Sequence, residues 1–149
     1  MGTAREIENL LYMYAERIDS GDYAGIAELF SRGRIVAEDG TPIATGAEEV
    51  KAMYDTSTRI YPEKGTPLSK HVVTNPIVEV DEVAGTATCR SYYTVLQRTD
   101  TLALQPIITG RYHDTFTKHP DGWFFTERKM IMDQLGDLSQ LTPLLSEDA

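Results

Sequence analysis

His71 stands inside residues 68–80, Leu-Ser-Lys-His-Val-Val-Thr-Asn-Pro-Ile-Val-Glu-Val, an apolar, β-branched run that reads as a strand broken once at Asn75-Pro76. An imidazole titrates near neutral pH, so in a half-buried strand it is either a satisfied core group or an acid–base group facing a pocket. Three more residues have types and positions suited to such chemistry. Tyr14 lies on the core-facing stripe of the first helical segment, where its phenol is a packing aromatic or a donor to a substrate oxygen. Asp19 falls roughly 100° beyond Ile18 on a helical wheel, at the margin of that stripe, from where it could point into the domain. Arg128 shares strand parity with Phe124, Met130 and Met132, an inward-looking set, so its guanidinium is expected to meet a buried acid or a substrate oxygen.

Other chemistries lack their residues. The one cysteine, Cys89, has no thiol partner and is expected to be inert packing, and His71, His113 and His119 show no recognisable ligand spacing, so no metal is expected. There is no Gly-rich phosphate loop and no GxSxG elbow, which leaves a nucleotide cofactor or a serine nucleophile without support; no cofactor is expected. A net charge of −9, with 14 Lys and Arg against 23 Asp and Glu, argues against nucleic acid as a partner. A length of 149 residues suits one domain, 1–149, with a core over about residues 5–133 and a tail over 134–149. The composition, 41% hydrophobic and 25% charged, with no bilayer-length apolar segment, reads as a soluble protein away from the membrane. The first residues lack the apolar core of a secretory signal, and the lone cysteine fits a reducing, cytoplasmic compartment.

The elements that must position these groups follow from periodicity. Ile7, Leu10, Leu11, Tyr14 and Ile18 have helical spacing, with Gly21 just past the end as a C-cap and Asp22 capping a second short helix through Phe30. Residues 34–37 read as a short strand turned at 38–41 by Asp39-Gly40. Thr45 and Glu48 match a capping box that opens a third helix running to about Ile60. Residues 61–67 read as loop, and strands are expected over 69–80, 86–98, 107–118 and 123–132, with turns at 81–82 and 119–122. Three helices followed by long antiparallel strands make an α+β fold, with helices on one face of a curved sheet and a pocket between them.

That order, with the strings Tyr14-Ala-Glu-Arg-Ile-Asp19-Ser-Gly-Asp22, Gly46, His71-Val-Val-Thr-Asn75, Gly110-Arg-Tyr-His-Asp114 and Gly122-Trp-Phe-Phe-Thr-Glu-Arg128, resembles the SnoaL-like branch of the nuclear-transport-factor-two-like superfamily over nearly the whole chain. The resemblance implies a cone-shaped α+β fold. It is a superfamily of dehydratases, isomerases, polyketide cyclases, a dehydrochlorinase and non-catalytic modules. Within it, scytalone dehydratase, the bile-acid 7α-dehydratase and the hexachlorocyclohexane dehydrochlorinase pair an aspartate ending the first helix with a histidine on a central strand. Asp19 and His71 stand in those places, and Tyr14 and Arg128 match a tyrosine and a late arginine of the bile-acid enzyme. That enzyme's further acid on the following strand has no equivalent between residues 86 and 98.

The resemblance thus implies a lyase (dehydratase) or isomerase in which His71 removes a proton, Asp19 orients it and Tyr14 with Arg128 stabilises an enolate. The alternative from another class is a ligand-binding or subunit-assembly module of the same fold. Asn75 shares parity with His71 and is a cavity-lining or turn-forming candidate, while Phe30, Met53, Tyr54, Tyr92 and Trp123 read as core or pocket wall for a small, hydrophobic, cyclic molecule. Of the pairs Arg111/His113 and Tyr112/Asp114, only one is expected to face the pocket. A homo-oligomer, dimer or trimer, is implied through the outer face of the sheet. Leu135, Leu138, Leu141, Leu144 and Leu145 could carry the tail over a pocket mouth or a neighbour. An Asp19–His71 contact beside an open cavity favours the enzyme; a cavity plugged by Tyr54 or Trp123 favours the module.

Overall fold

In the computed structural model, which describes residues 2–143, the first helix, α1 (Thr3–Asp19), buries Ile7, Leu11, Tyr14, Ala15 and Ile18 on one face. It ends in a Schellman arrangement: the Gly21 N–H reaches the Ile18 carbonyl at 3.1 Å and the Asp22 N–H the Arg17 carbonyl at 2.8 Å. Gly21 is needed there twice over. Its φ is +76°, and a Cβ would stand 2.3 Å from the Gly65 carbonyl oxygen, so the helix end seats directly on the turn bridged by Tyr61 and Thr66. That contact fixes where Asp19, the last helical residue, is carried.

Helix α2 (Tyr23–Leu29) starts at Asp22, whose carboxylate accepts the Gly25 N–H at 2.8 Å. Helix α3 (Gly46–Ser57) departs from the expected capping box. Thr45 makes no side-chain cap; Gly46 takes φ +79°, and Glu49 reaches back to the Thr45 N–H at 3.0 Å. The helix also stops at Ser57, ahead of the expected end near Ile60.

Strands β1 (Arg34–Val36), β2 (Pro42–Thr45), β3 (Ser69–Asp81), β4 (Thr86–Gln97), β5 (Gln105–His119) and β6 (Gly122–Leu135) form one open sheet in the order β2-β1-β6-β5-β4-β3. Only β1 and β6 run parallel. The fold is therefore the α+β class, with α1 packed on β3 and α3 resting on α2 and the β1–β2 hairpin. Among the described residues no helix is long and apolar enough to cross a membrane.

Bulges redirect the strand faces. In β3 the register breaks between Thr74 and Ile77, where Asn75 takes φ +43°. His71 and Val73 precede the break; Val78 and Val80, on the opposite parity, pack on the core after it. In β6 the register jumps at Thr126, so Trp123 and Phe125 face the core before it and Arg128 after it. The expected inward set of Phe124, Arg128, Met130 and Met132 is corrected at both ends: the bulge turns Phe124 away, under the Arg32 guanidinium, and Met132 is 60% exposed, while Arg128 and Met130 do meet the core.

The segment after β6 returns across the end of the sheet near the start of β3. Leu138 and Leu141 pack against the core, the Gln140 carbonyl accepts from the Tyr61 hydroxyl at 2.6 Å, and the Arg59 N–H donates to the Leu141 carbonyl at 2.7 Å. Leu135 is exposed, and Leu144 and Leu145 lie outside the described residues.

Candidate functional site

The helix end and the start of β3 converge on a carboxylate. Asp19 Oδ2 accepts the backbone N–H of His71 at 2.8 Å, and Oδ1 meets His71 Nδ1 at 2.8 Å. Ser69, two residues earlier on the same strand face, donates its hydroxyl to Oδ1 at 2.9 Å. A carboxylate only accepts, so the ring proton sits on Nδ1, and the neutral imidazole keeps a lone pair on Nε2. Among the described residues nothing hydrogen bonds Nε2. The side chains of His71 and Asp19 are 7% and 13% exposed, which strengthens their interaction without cutting them off from a ligand.

Next to the dyad the inner face of the sheet is aromatic and polar together. The Tyr14 ring meets the His71 ring edge-on, with centroids 6.3 Å apart, and its hydroxyl pairs with that of Tyr54. Arg128 lies at the centre of the core with no exposed surface, held by Asp114 through two hydrogen bonds of 2.8 and 2.9 Å. Its plane covers Tyr112 at 3.7 Å and Tyr14 at 4.4 Å, a cation–π stack that uses guanidinium faces where the edges serve Asp114. One nitrogen, Nη1, has no hydrogen-bond partner among the described residues.

Burial governs the ionisation of this group. It pushes the phenols of Tyr14, Tyr54 and Tyr112 above their ordinary value, so each is a neutral donor, although Arg128 pulls the other way. Burial also pushes the Asp114 carboxyl up against the pull of Arg128; Arg128, opposing its own burial through Asp114, stays charged. Removing either partner would strand a buried charge.

The space expected to be a pocket is occupied. Tyr14, Phe30, Tyr54, Tyr93 and Tyr112 fill it, each no more than 5% exposed. The opening that does touch the dyad is a cleft of about 390 Å³ lined by Ala15, Glu16, Asp19, Ser20, Lys70 and His71, and it faces solvent. Among the described residues no cluster of His, Cys, Asp and Glu could hold a metal ion.

The structure thus gathers Tyr14, Asp19, His71 and Arg128 around the inner end of α1 and separates several other candidates from them. Asn75 is exposed at the β3 bulge, where it serves the turn. Tyr92 is 56% exposed on the outer face; its neighbour Tyr93 is the inward residue, stacked on Tyr112 at 4.2 Å over Gly110, where a Cβ would stand 2.6 Å from the Tyr93 ring. Phe30, Tyr54 and Trp123 are core, and Met53 is half-buried at its edge. Tyr112 and Asp114 are the inward pair, whereas Arg111 binds Asp133 outside at 2.9 Å and His113 is exposed. Ser69 was legible in principle from its two-residue offset from His71. Cys89 is buried, and desolvation raises its thiol to about 12.

Residues 3–129 match the SnoaL-like domain. No curated protein matches the sequence significantly. Similar solved structures include a Mycobacterium tuberculosis protein of unknown function, 24% identical over 89% of this chain and 72% of that one, with a TM-score of 0.71. A Novosphingobium aromaticivorans protein provisionally assigned as a scytalone dehydratase is 23% identical over 90% and 86%, with a TM-score of 0.68. LinA is 14% identical over 91% and 88%, also with a TM-score of 0.68. At these identities the likeness is one of fold.

Proposed function

The chain belongs to the SnoaL-like domain family, and we propose that it is a cofactor-independent lyase of the dehydratase type, or an isomerase, acting on a small, hydrophobic, cyclic hydroxy-carbonyl compound. The observation that carries this reading is the two-point hold of Asp19 on His71, which leaves Nε2 as the only ring nitrogen able to take a proton. His71 Nε2 removes the proton next to the carbonyl, and the C–H electron pair becomes the enolate. Asp19 stabilises the imidazolium. The Tyr14 hydroxyl and the spare Arg128 Nη1–H donate toward the enolate oxygen. In a dehydration the enolate then expels the β-hydroxyl, which leaves as water with the proton returned from His71; in an isomerisation the same proton goes back to another carbon. A positioned base contributes about 10²–10⁴-fold and an oxyanion donor on the order of 10²–10³-fold. Tyr54 must yield for a substrate to enter, because its ring occupies the interior.

That filled interior favours a second reading, a ligand-binding or subunit-assembly module. In either reading we place the protein in the cytoplasm, without nucleic acid or membrane as a partner, and assign self-association to the outer sheet face, where Val72, Ile77, Tyr92 and Met132 are exposed. Proton NMR in D₂O with 3-hydroxycyclohexanone and a hydroxytetralone separates the two readings. The enzyme accelerates α-proton exchange or water loss, and His71→Gln removes that acceleration. Exchange at the buffer rate with every compound, or an unchanged rate in His71→Gln, overturns the catalytic reading.

A further inference from the structure

We infer that Ser69 is the positioning residue of the dyad, locking the Asp19 carboxylate in the orientation that keeps the His71 proton on Nδ1. The inference rests on the catalytic reading above, since it concerns how the proposed base is kept in its working tautomer. Asp19 ends a 17-residue helix, where the unpaired carbonyls and the negative end of the helix dipole disfavour a carboxylate. Three hydrogen bonds offset that repulsion, and two of them come from His71 itself.

The two bonds from His71 do not suffice to define the carboxylate. An aspartate's terminal torsion is broad and roughly two-fold, so a carboxylate anchored by one backbone N–H can still rotate its other oxygen away from the ring. Ser69 removes that freedom. Its hydroxyl donates to the same oxygen, Oδ1, that accepts from the ring, and among the described residues it is the one donor to Asp19 that His71 does not supply. The serine is 5% exposed, so water does not compete for the bond. The backbone immediately upstream is held in an uncommon conformation: Leu68 takes φ +59°, with its N–H on the Thr66 hydroxyl at 3.2 Å. This kink starts β3 with Ser69 and His71 turned to the same face, and strain of this kind gathers where geometry serves function.

The test reads the tautomer directly, with no substrate. In protein labelled with ¹⁵N-histidine, and with the His71 signals assigned through His71→Gln, the neutral wild-type ring should show a protonated Nδ1 and an unprotonated Nε2. Ser69→Ala should mix the two tautomers and shift the His71 titration midpoint, and Ser69→Thr, which keeps the hydroxyl, should restore the wild-type signals. Turnover of any compound accepted in the exchange assay should fall by about tenfold in Ser69→Ala, the scale of losing a residue that orients a functional ligand. Ser69→Cys, close in size and a weaker donor, should give the same mixing if Ser69→Ala does not fold. A folded Ser69→Ala or Ser69→Cys protein with the wild-type tautomer and titration overturns the role of Ser69 while leaving the catalytic reading standing. A wild-type His71 that carries its proton on Nε2 overturns both.

Discussion

Asp19 holds His71 from two sides, one carboxylate oxygen on the backbone N–H and the other on the ring Nδ1, both at 2.8 Å. The bond to the backbone ties the ring's anchor point to the end of α1, so the imidazole cannot move without the helix terminus. Asp19→Asn keeps the shape but offers an amide where the ring needs an anion. Proton exchange catalysed by the protein should fall by about 10²–10⁴-fold with little change in melting temperature. Parallel exchange and melting measurements on the two proteins check this; retention of the wild-type rate would remove Asp19 from the mechanism.

Gly21→Ala should act on the same site from outside it. At φ +76°, with a Cβ 2.3 Å from the Gly65 oxygen, alanine strains the helix terminus and pushes it off its seat. Denaturant unfolding should show a loss of about 1–3 kcal/mol, and the His71 ¹⁵N signals should shift as Asp19 is displaced. A variant as stable as the wild type would mean that the helix end relaxes freely.

The Asp114–Arg128 pair predicts a non-additive cycle. Asp114→Leu alone strands a buried guanidinium and should cost about 3–5 kcal/mol, and Arg128→Met alone strands the carboxyl. The double variant should recover most of that loss, because two apolar side chains need no partners in this core. Chemical denaturation of all four proteins measures the coupling, and simple additivity would contradict the buried bidentate geometry.

Cys89 should be silent toward thiol reagents in the folded state. Burial raises its thiol to about 12, so at pH 8 the reactive thiolate is on the order of 10⁻⁴ of the population, before access is considered. Ellman's reagent should react only in denaturant, and reactivity should rise with pH toward 12 rather than level off near the usual thiol range. Fast labelling of native protein at pH 8 would show that the core opens locally.

Tyr54 plugs the interior that either functional reading needs open. Tyr54→Ala should open a cavity floored by the Tyr14 hydroxyl and able to take phenol, whose ring and hydroxyl replace those removed. Calorimetry should then detect phenol binding to the variant at lower concentration than to the wild type, and phenol should raise the variant's melting temperature. Absence of binding would show that the interior collapses when its plug is removed.

Much of the scaffold was legible in the chain itself. A period near 3.6 marked α1, Gly21 and Asp22 marked its end and the start of α2, and the β-branched runs marked β3 to β6 to within a few residues, because these signals are local and several agree. The cap of α3 differs by one position from the expected box, since Gly46, left-handed at the first helical position, brings Glu49 rather than Glu48 back to the Thr45 N–H.

Which strand residues share the core with His71 is a different kind of question. Alternation holds only until a bulge adds one residue, and each bulge turns every later side chain to the other face. Only Asn75-Pro76 announces its bulge; the one at Thr126 leaves no mark, so simple alternation puts Phe124 on the face of Arg128, and Met132, beyond that bulge and in step with Arg128, is exposed where Ile131 is buried. The family pattern singled out Asp19 and His71, but local sequence says nothing of the distance between a helix end and a strand fifty residues on. That distance, the third donor from Ser69, and the filling of the interior by Tyr14, Tyr54 and Tyr112 were decided by tertiary packing, because contacts between remote elements depend on how all of them seat together.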